Sequence, residues 1–137
     1  MNSITLISCV GKKQSHSCPA QDLYQSTWFL KARAYVERQQ WDWYILSAKH
    51  GFLHRDKIIE PYNQTLNKMP IFERKLWAEQ VFADICQVLP KESLIKIFAG
   101  LKYREFLVPC LKQIGYTVEI PLEPLKIGQQ LAWFNFH

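Results

Sequence analysis

Four short aliphatic runs, Ser3 to Val10 (SITLISCV), Trp43 to Ala48 (WYILSA), Leu94 to Ala99 (LIKIFA) and Thr117 to Ile120, alternate with segments whose apolar residues recur at helical spacing. Such alternation constrains the fold strongly, because strand, helix and strand join by a right-handed crossover that leaves the strands parallel and the helices on the sheet faces. Runs this short and this apolar suit strands buried on both sides. Between them, Ser26 is placed to cap a helix in which Trp28, Ala32, Tyr35 and Val36 share a face, ending near Gln39. Pro70 opens a second helix with Trp77, Val81, Phe82, Ile85 and Leu89 turned inward, stopped at Pro90. A third runs from about Lys102 to Ile114 and ends at Gly115, with a kink or a split into two short helices expected at Pro109. Ile127, Leu131 and Phe134 mark a terminal helix, whereas Lys49 to Met69 shows no clear periodicity and reads as a long functional loop. The expected fold is a single α/β domain over residues 1–137, three-layered and Rossmann-like, with a short, mostly parallel sheet of about four strands.

The composition agrees with a chain that folds alone: 48% hydrophobic and 14% aromatic residues against 21% charged in 137 residues supply a full core. The apolar start, Met1 to Val10, has no basic residues before it and is strand-length rather than membrane-length, so neither secretion nor a membrane partner is expected. Cys9, Cys18, Cys86 and Cys110 form no Cys-x-x-Cys pair, which points to reduced thiols and a cytoplasmic setting. His16 and Cys18 lie close together, but no second anchoring pair accompanies them, so no metal or other cofactor is expected. The net charge of +5 favours polyanionic partners, nucleotides or nucleic acids, since phosphate contacts release counterions.

In open parallel sheets ligands bind beyond the carboxyl ends of the strands, and here those ends hold the unusual residues. The first supplies Ser8, Cys9 and Gly11 followed by Lys12 and Lys13, a small-residue turn with two cations suited to a phosphate or carboxylate. Its spacing is neither that of a Walker A loop nor that of a dinucleotide fingerprint. The second supplies Ser47, Lys49, His50 and Gly51, with His50 able to exchange a proton near neutral pH. Further on, Glu60 and Tyr62 offer a carboxylate and a ring beside Pro61, and the third strand end adds Gly100, Tyr103 and Arg104. Asp22 and Tyr24, and Glu123 with Gln129, are further candidates for the same edge. Cys9 reads as a small apolar residue closing its strand.

Several stretches, LISCVGKK (Leu6 to Lys13), PAQDLY (Pro19 to Tyr24), LSAKHGFLHRDKIIEPY (Leu46 to Tyr62), IFAGLKYREFL and VEIPLEPLKIGQQLAWF, together resemble an uncharacterised bacterial and phage small-domain family across nearly the whole chain. More distantly the sequence is similar to the YaaA peroxide-stress proteins, on Ile7, Ser8 and Lys12 or Lys13, then Leu46, Ser47, Gly51, Pro61 and Tyr62. That similarity implies DNA association and protection against oxidative stress. The helix-hairpin-helix element of the larger YaaA proteins is not readable here.

The expectation for function is an enzyme acting on a nucleotide, nucleoside or nucleic-acid base, without a metal. In its sharpest form it is a glycosylase-like hydrolase or transferase. Glu60 or Asp22 would steady a sugar cation, His50 or Lys49 would assist the leaving base, Tyr62 and Tyr103 would stack it, and Lys12 and Lys13 would hold phosphate. The alternatives are a non-catalytic nucleic-acid-binding stress or defence protein, and an interaction domain whose basic edge meets an acidic partner.

Overall fold

A computed structural model describes residues 2–9 and 11–137. Strand β1 (Ser3–Ser8) is central, paired in parallel with β3 (Trp43–Ser47) on one side and β6 (Leu94–Phe98) on the other. Beyond β6 lies β7 (Thr117–Glu119), also parallel, and beyond β3 lies β4 (Gly51–His54), antiparallel, so the order is β4-β3-β1-β6-β7. A separate two-strand antiparallel ladder joins β2 (Cys18–Pro19) to β5 (Ile58–Ile59). The helices are α1 (Ala20–Leu23), α2 (Thr27–Arg38), α3 (Ile71–Val88), α4 (Leu101–Arg104), α5 (Leu107–Ile114) and α6 (Ile127–Phe136).

Strand periodicity sorts the sheet side chains between two cores. Ile4, Leu6, Ile95 and Ile97 pack with Val81 and Ile85 of α3 and Leu111 of α5. Ile7, Trp43, Ile45 and Phe98 pack with Phe29 and Val36 of α2 and Phe134 of α6. Three layers result, and because both faces are covered the strands read as continuous apolar runs rather than alternating ones.

The four parallel strands are those anticipated from the aliphatic runs, although Val10, at the end of the first, lies outside the described residues. The fifth strand comes from the segment read as an unpatterned loop. Residues 49–69 contain β4, β5 and a 3₁₀ turn (Leu66–Lys68), elements of two to four residues, too short to show a period. The expected kink at Pro109 also falls elsewhere. The break is at Glu105–Phe106 and Pro109 is the third residue of α5, because a continuous helix would drive its ring into the Glu105 carbonyl, whereas in a first turn its missing N–H costs nothing. On α3 the inward face includes Arg74 as well as Ala78, Val81 and Ile85, while Trp77 and Phe82 are half-buried at its margin.

Candidate functional site

Four chain segments deliver hydroxyls and a thiol to one point beyond β1 and β3. Ser47 ends β3, Cys9 follows β1, Tyr24 caps the C-terminus of α1, and Tyr62 returns three residues after β5. Tyr62 Oη is the hub, 2.7 Å from Tyr24 Oη, 2.7 Å from Ser47 Oγ and 3.8 Å from Cys9 Sγ. Ser47 Oγ also accepts from the His50 backbone N–H at 3.0 Å, and the Ser47 carbonyl accepts from Trp77 Nε1 at 2.9 Å. Cys9 donates its thiol proton to the Leu46 carbonyl at 3.3 Å. Lys13 stands over the Tyr62 ring, 4.8 Å from its centroid, and the His50 ring meets Tyr62 edge-on at 5.6 Å.

The network is neutral. Burial pushes the Cys9 thiol up to about 11, and burial first, then the neighbouring Cys9, raises the Tyr24 and Tyr62 phenols above their ordinary value. The Tyr103 phenol rises to about 12 for the same first reason. His50 moves the other way: burial, reinforced by Lys49 and then Lys57, lowers its pKa and keeps the imidazole uncharged at neutral pH. Beside this network His50 Nε2 is buried without a hydrogen-bond partner among the described residues, whereas Tyr103 Oη is buried on the Trp77 side, with the Thr65 side chain and the Leu66 backbone next to it.

The lowered His50 value has a measurable consequence. Its pKa is about 6.5 in the unfolded chain and lower in the folded one, so its contribution to stability is complete above pH 6.5 and is lost as the pH falls through the folded value. Denaturant titrations between pH 8 and 5 should show stability falling across that window, with a smaller fall in His50→Gln. An unchanged pH dependence in that variant would refute the assignment.

A second feature lies on the other side of the β1 end, between β1 and β6, where the strand order reverses. There a cleft of about 440 Å³ is lined by Ser8, Ser26, Trp28, Gly100, Ile127 and Gln130. A smaller extension of about 220 Å³ reaches Arg104, Leu122 and Glu123. Such crevices at a topological switch point are where doubly wound sheets take ligands. A larger open groove of about 690 Å³ between α2 and α6, with Lys31, Arg38 and His137 on its walls, holds none of the edge chemistry.

The sequence-predicted residues are therefore divided. Cys9, Lys13, Ser47, His50 and Tyr62 come together at the network, whereas Ser8 and Gly100 line the cleft. Lys12, Lys49 and Glu60 are exposed, Lys49 in the β3–β4 turn and Glu60 two residues before Tyr62 with no ion-pair partner among the described residues. Asp22 instead faces Arg33 at 3.4 Å. Gly51 serves the backbone: its φ of +68° favours glycine, and an added Cβ would meet Val81 Cγ2 at 3.3 Å. Tyr103 is 2% exposed and packs edge-on against Trp77, while Arg104 holds the Ala99 carbonyl and Glu123. Gln129 caps α6. Trp28, Ser26 and Gln130 carry no site signal in the sequence, since Trp28 keeps helical register with Ala32 and Ser26 reads as a cap; Ser26 does cap α2, and all three residues also border the cleft.

Among the described residues, no three His, Cys, Asp or Glu side chains gather as for a metal ion, and no helix is long and apolar enough to cross a membrane. Fold and edge together define a doubly wound α/β domain with a candidate small-ligand site at the carboxyl ends of its strands. The chain belongs to a family of unknown function, DUF6884, whose model matches residues 4–136. No curated protein and no solved structure matches it.

Proposed function

We propose that this domain binds a nucleotide, or a nucleotide unit of a nucleic acid, at the carboxyl edge of the sheet and hydrolyses its glycosidic bond. The observation that carries the reading is the partnerless buried His50 Nε2 beside a neutral hydroxyl network under Lys13. An unmet buried polar group costs about 1–3 kcal/mol, so an imidazole nitrogen left without a partner fits a site completed by a ligand. Lys13 provides positive potential for phosphate, and the net charge of +5 favours a polyanion. The positions of the distant YaaA similarity include Ser47 and Tyr62, which bond to each other here.

In the proposed reaction the bond between the base nitrogen and the sugar C1′ breaks with its electron pair leaving on the base. Glu60, the candidate carboxylate not taken up by an ion pair among the described residues, steadies the sugar cation and receives a proton from the attacking water, whose oxygen bonds to C1′. Neutral His50 hydrogen-bonds the attacking water through Nε2, and Tyr62 holds the imidazole by ring contact. The protonated Glu60 returns its proton to the base, so the products are free base and sugar.

A second reading, binding without catalysis, draws on the fact that neither Glu60 nor Asp22 hydrogen-bonds into the network. One experiment separates the two. Purified protein is incubated with modified and unmodified nucleosides, nucleotides and DNA, and free base is measured. Release that falls at least a hundredfold in Glu60→Gln and persists in Asp22→Asn is expected. Salt-sensitive oligonucleotide binding with no base released would select the second reading.

A further inference from the structure

The cleft at the switch point is made of groups that the hydroxyl network does not use. Ser8 and Cys9 are consecutive, yet Cys9 faces the network and Ser8 lines the cleft, so a ligand crossing the end of β1 would touch both features. Trp28 lines the cleft and its extension alike. Its indole is clamped: Nε1 donates to Gln130 Oε1 at 2.8 Å, Gln130 Nε2 donates to the Leu125 carbonyl at 2.9 Å, and Phe134 meets the ring edge-on at 6.0 Å. A rigid aromatic surface with its polar edge already satisfied is suited to stacking. Ser8 is 5% exposed and borders the cleft.

Tyr103 and Tyr62 are less available for stacking. Tyr103 is 2% exposed, and Tyr62 has Lys13 over its ring. Gly11, with φ +93°, comes against the start of α2, where an added Cβ would lie 3.7 Å from Ser26 Cβ. The Lys12–Lys13 turn is thereby joined to the cleft rim, with the Lys12 carbonyl bonded to the Gln25 N–H at 2.8 Å.

We infer that the cleft is the base-recognition subsite: a planar heterocycle stacks on Trp28 and hydrogen-bonds to Ser8 Oγ, while its sugar and phosphate run across Gly11 toward Lys13. This rests on the nucleotide reading above and adds to it the place and chemistry of base recognition. The glycosidic bond then lies over the end of β1, beside Cys9 and Tyr62.

The test uses the intact chain, ¹⁵N-labelled, titrated with the four ribonucleoside 5′-monophosphates, with free adenine and with ribose 5-phosphate. Two variants accompany it. Trp28→Ala removes the platform, and Gly100→Leu fills the cleft from a position where an added Cβ meets nothing within 4 Å, so that variant should fold. At least one monophosphate should shift the Trp28 indole N–H and the Ser8 amide, and both variants should weaken it about tenfold or more while leaving ribose 5-phosphate binding unchanged. Monophosphates binding both variants as they bind the parent would overturn the base subsite and leave the nucleotide reading standing. Adenine binding at Trp28 with no monophosphate or ribose 5-phosphate bound would overturn the nucleotide reading and keep the aromatic subsite. No binding of any probe would overturn both.

Discussion

Replacing Tyr62 by phenylalanine is expected to destabilise the domain by about 2 kcal/mol and to lower its melting temperature by roughly 5–10 °C. The phenylalanine keeps the ring, its contacts with His50 and Tyr24 and its place under Lys13, but deletes the oxygen that lies 2.7 Å from two other hydroxyls. Tyr24 Oη then loses its hydrogen-bond partner in a site where Tyr24 is 1% exposed, and Ser47 Oγ keeps only the His50 N–H. Tyr24→Phe removes one end of the chain rather than its centre and should cost less than half as much. Equal stabilities for the two phenylalanine variants would show that the hydroxyls do not act as a connected network, a point a double-mutant cycle measures directly.

Arg74→Leu should be as damaging, at about 2–4 kcal/mol, although Arg74 belongs to no proposed chemical step. Its guanidinium lies at the edge of the core, 9% exposed, with Nε 2.8 Å from Glu105 Oε1 and Nη1 2.6 Å from the Met69 carbonyl. Those two bonds tie the first turn of α3 to the α4–α5 break and to the end of the 3₁₀ turn, and so fix the exit of the segment that delivers Tyr62. Leucine fills part of the space but leaves Glu105, only 28% exposed, without its cation. Removing one partner of a largely buried pair is costly, whereas replacing both is often nearly neutral. Accordingly, Arg74→Leu with Glu105→Leu should recover at least half of the loss in chemical denaturation. A single variant as stable as the parent would refute the structural role.

The helices and parallel strands could be read because each is long enough for its period to repeat: α2 begins at the residue after Ser26, and Gly115 stops α5 with φ +118°. Even Pro109 announced a division of its helix, though where the break falls depends on which carbonyl the ring would strike. What escaped was short or non-local. Strand β4 has four residues, and nothing in GFLH specifies that it folds back antiparallel on β3; that follows from the tight turn at residues 48–50 and the positive φ of Gly51 over Val81. Arg74 on an inward helical face could not be foreseen, because its partner Glu105 is 31 residues away.

The same division runs through the site. By itself the sequence determined that four parallel strands would alternate with helices and that Cys9, Lys13, Ser47 and His50 would lie at or just past strand ends, because periodicity and β-branched runs are local properties of the chain. Only the tertiary structure decided that Tyr62 Oη joins Tyr24 to Ser47, that Asp22 pairs with Arg33, and that Trp28 borders the switch-point cleft. These depend on strand order and on the return path of a patternless loop, which join residues 11 to 102 positions apart through hydrogen bonds and packing that no local window contains.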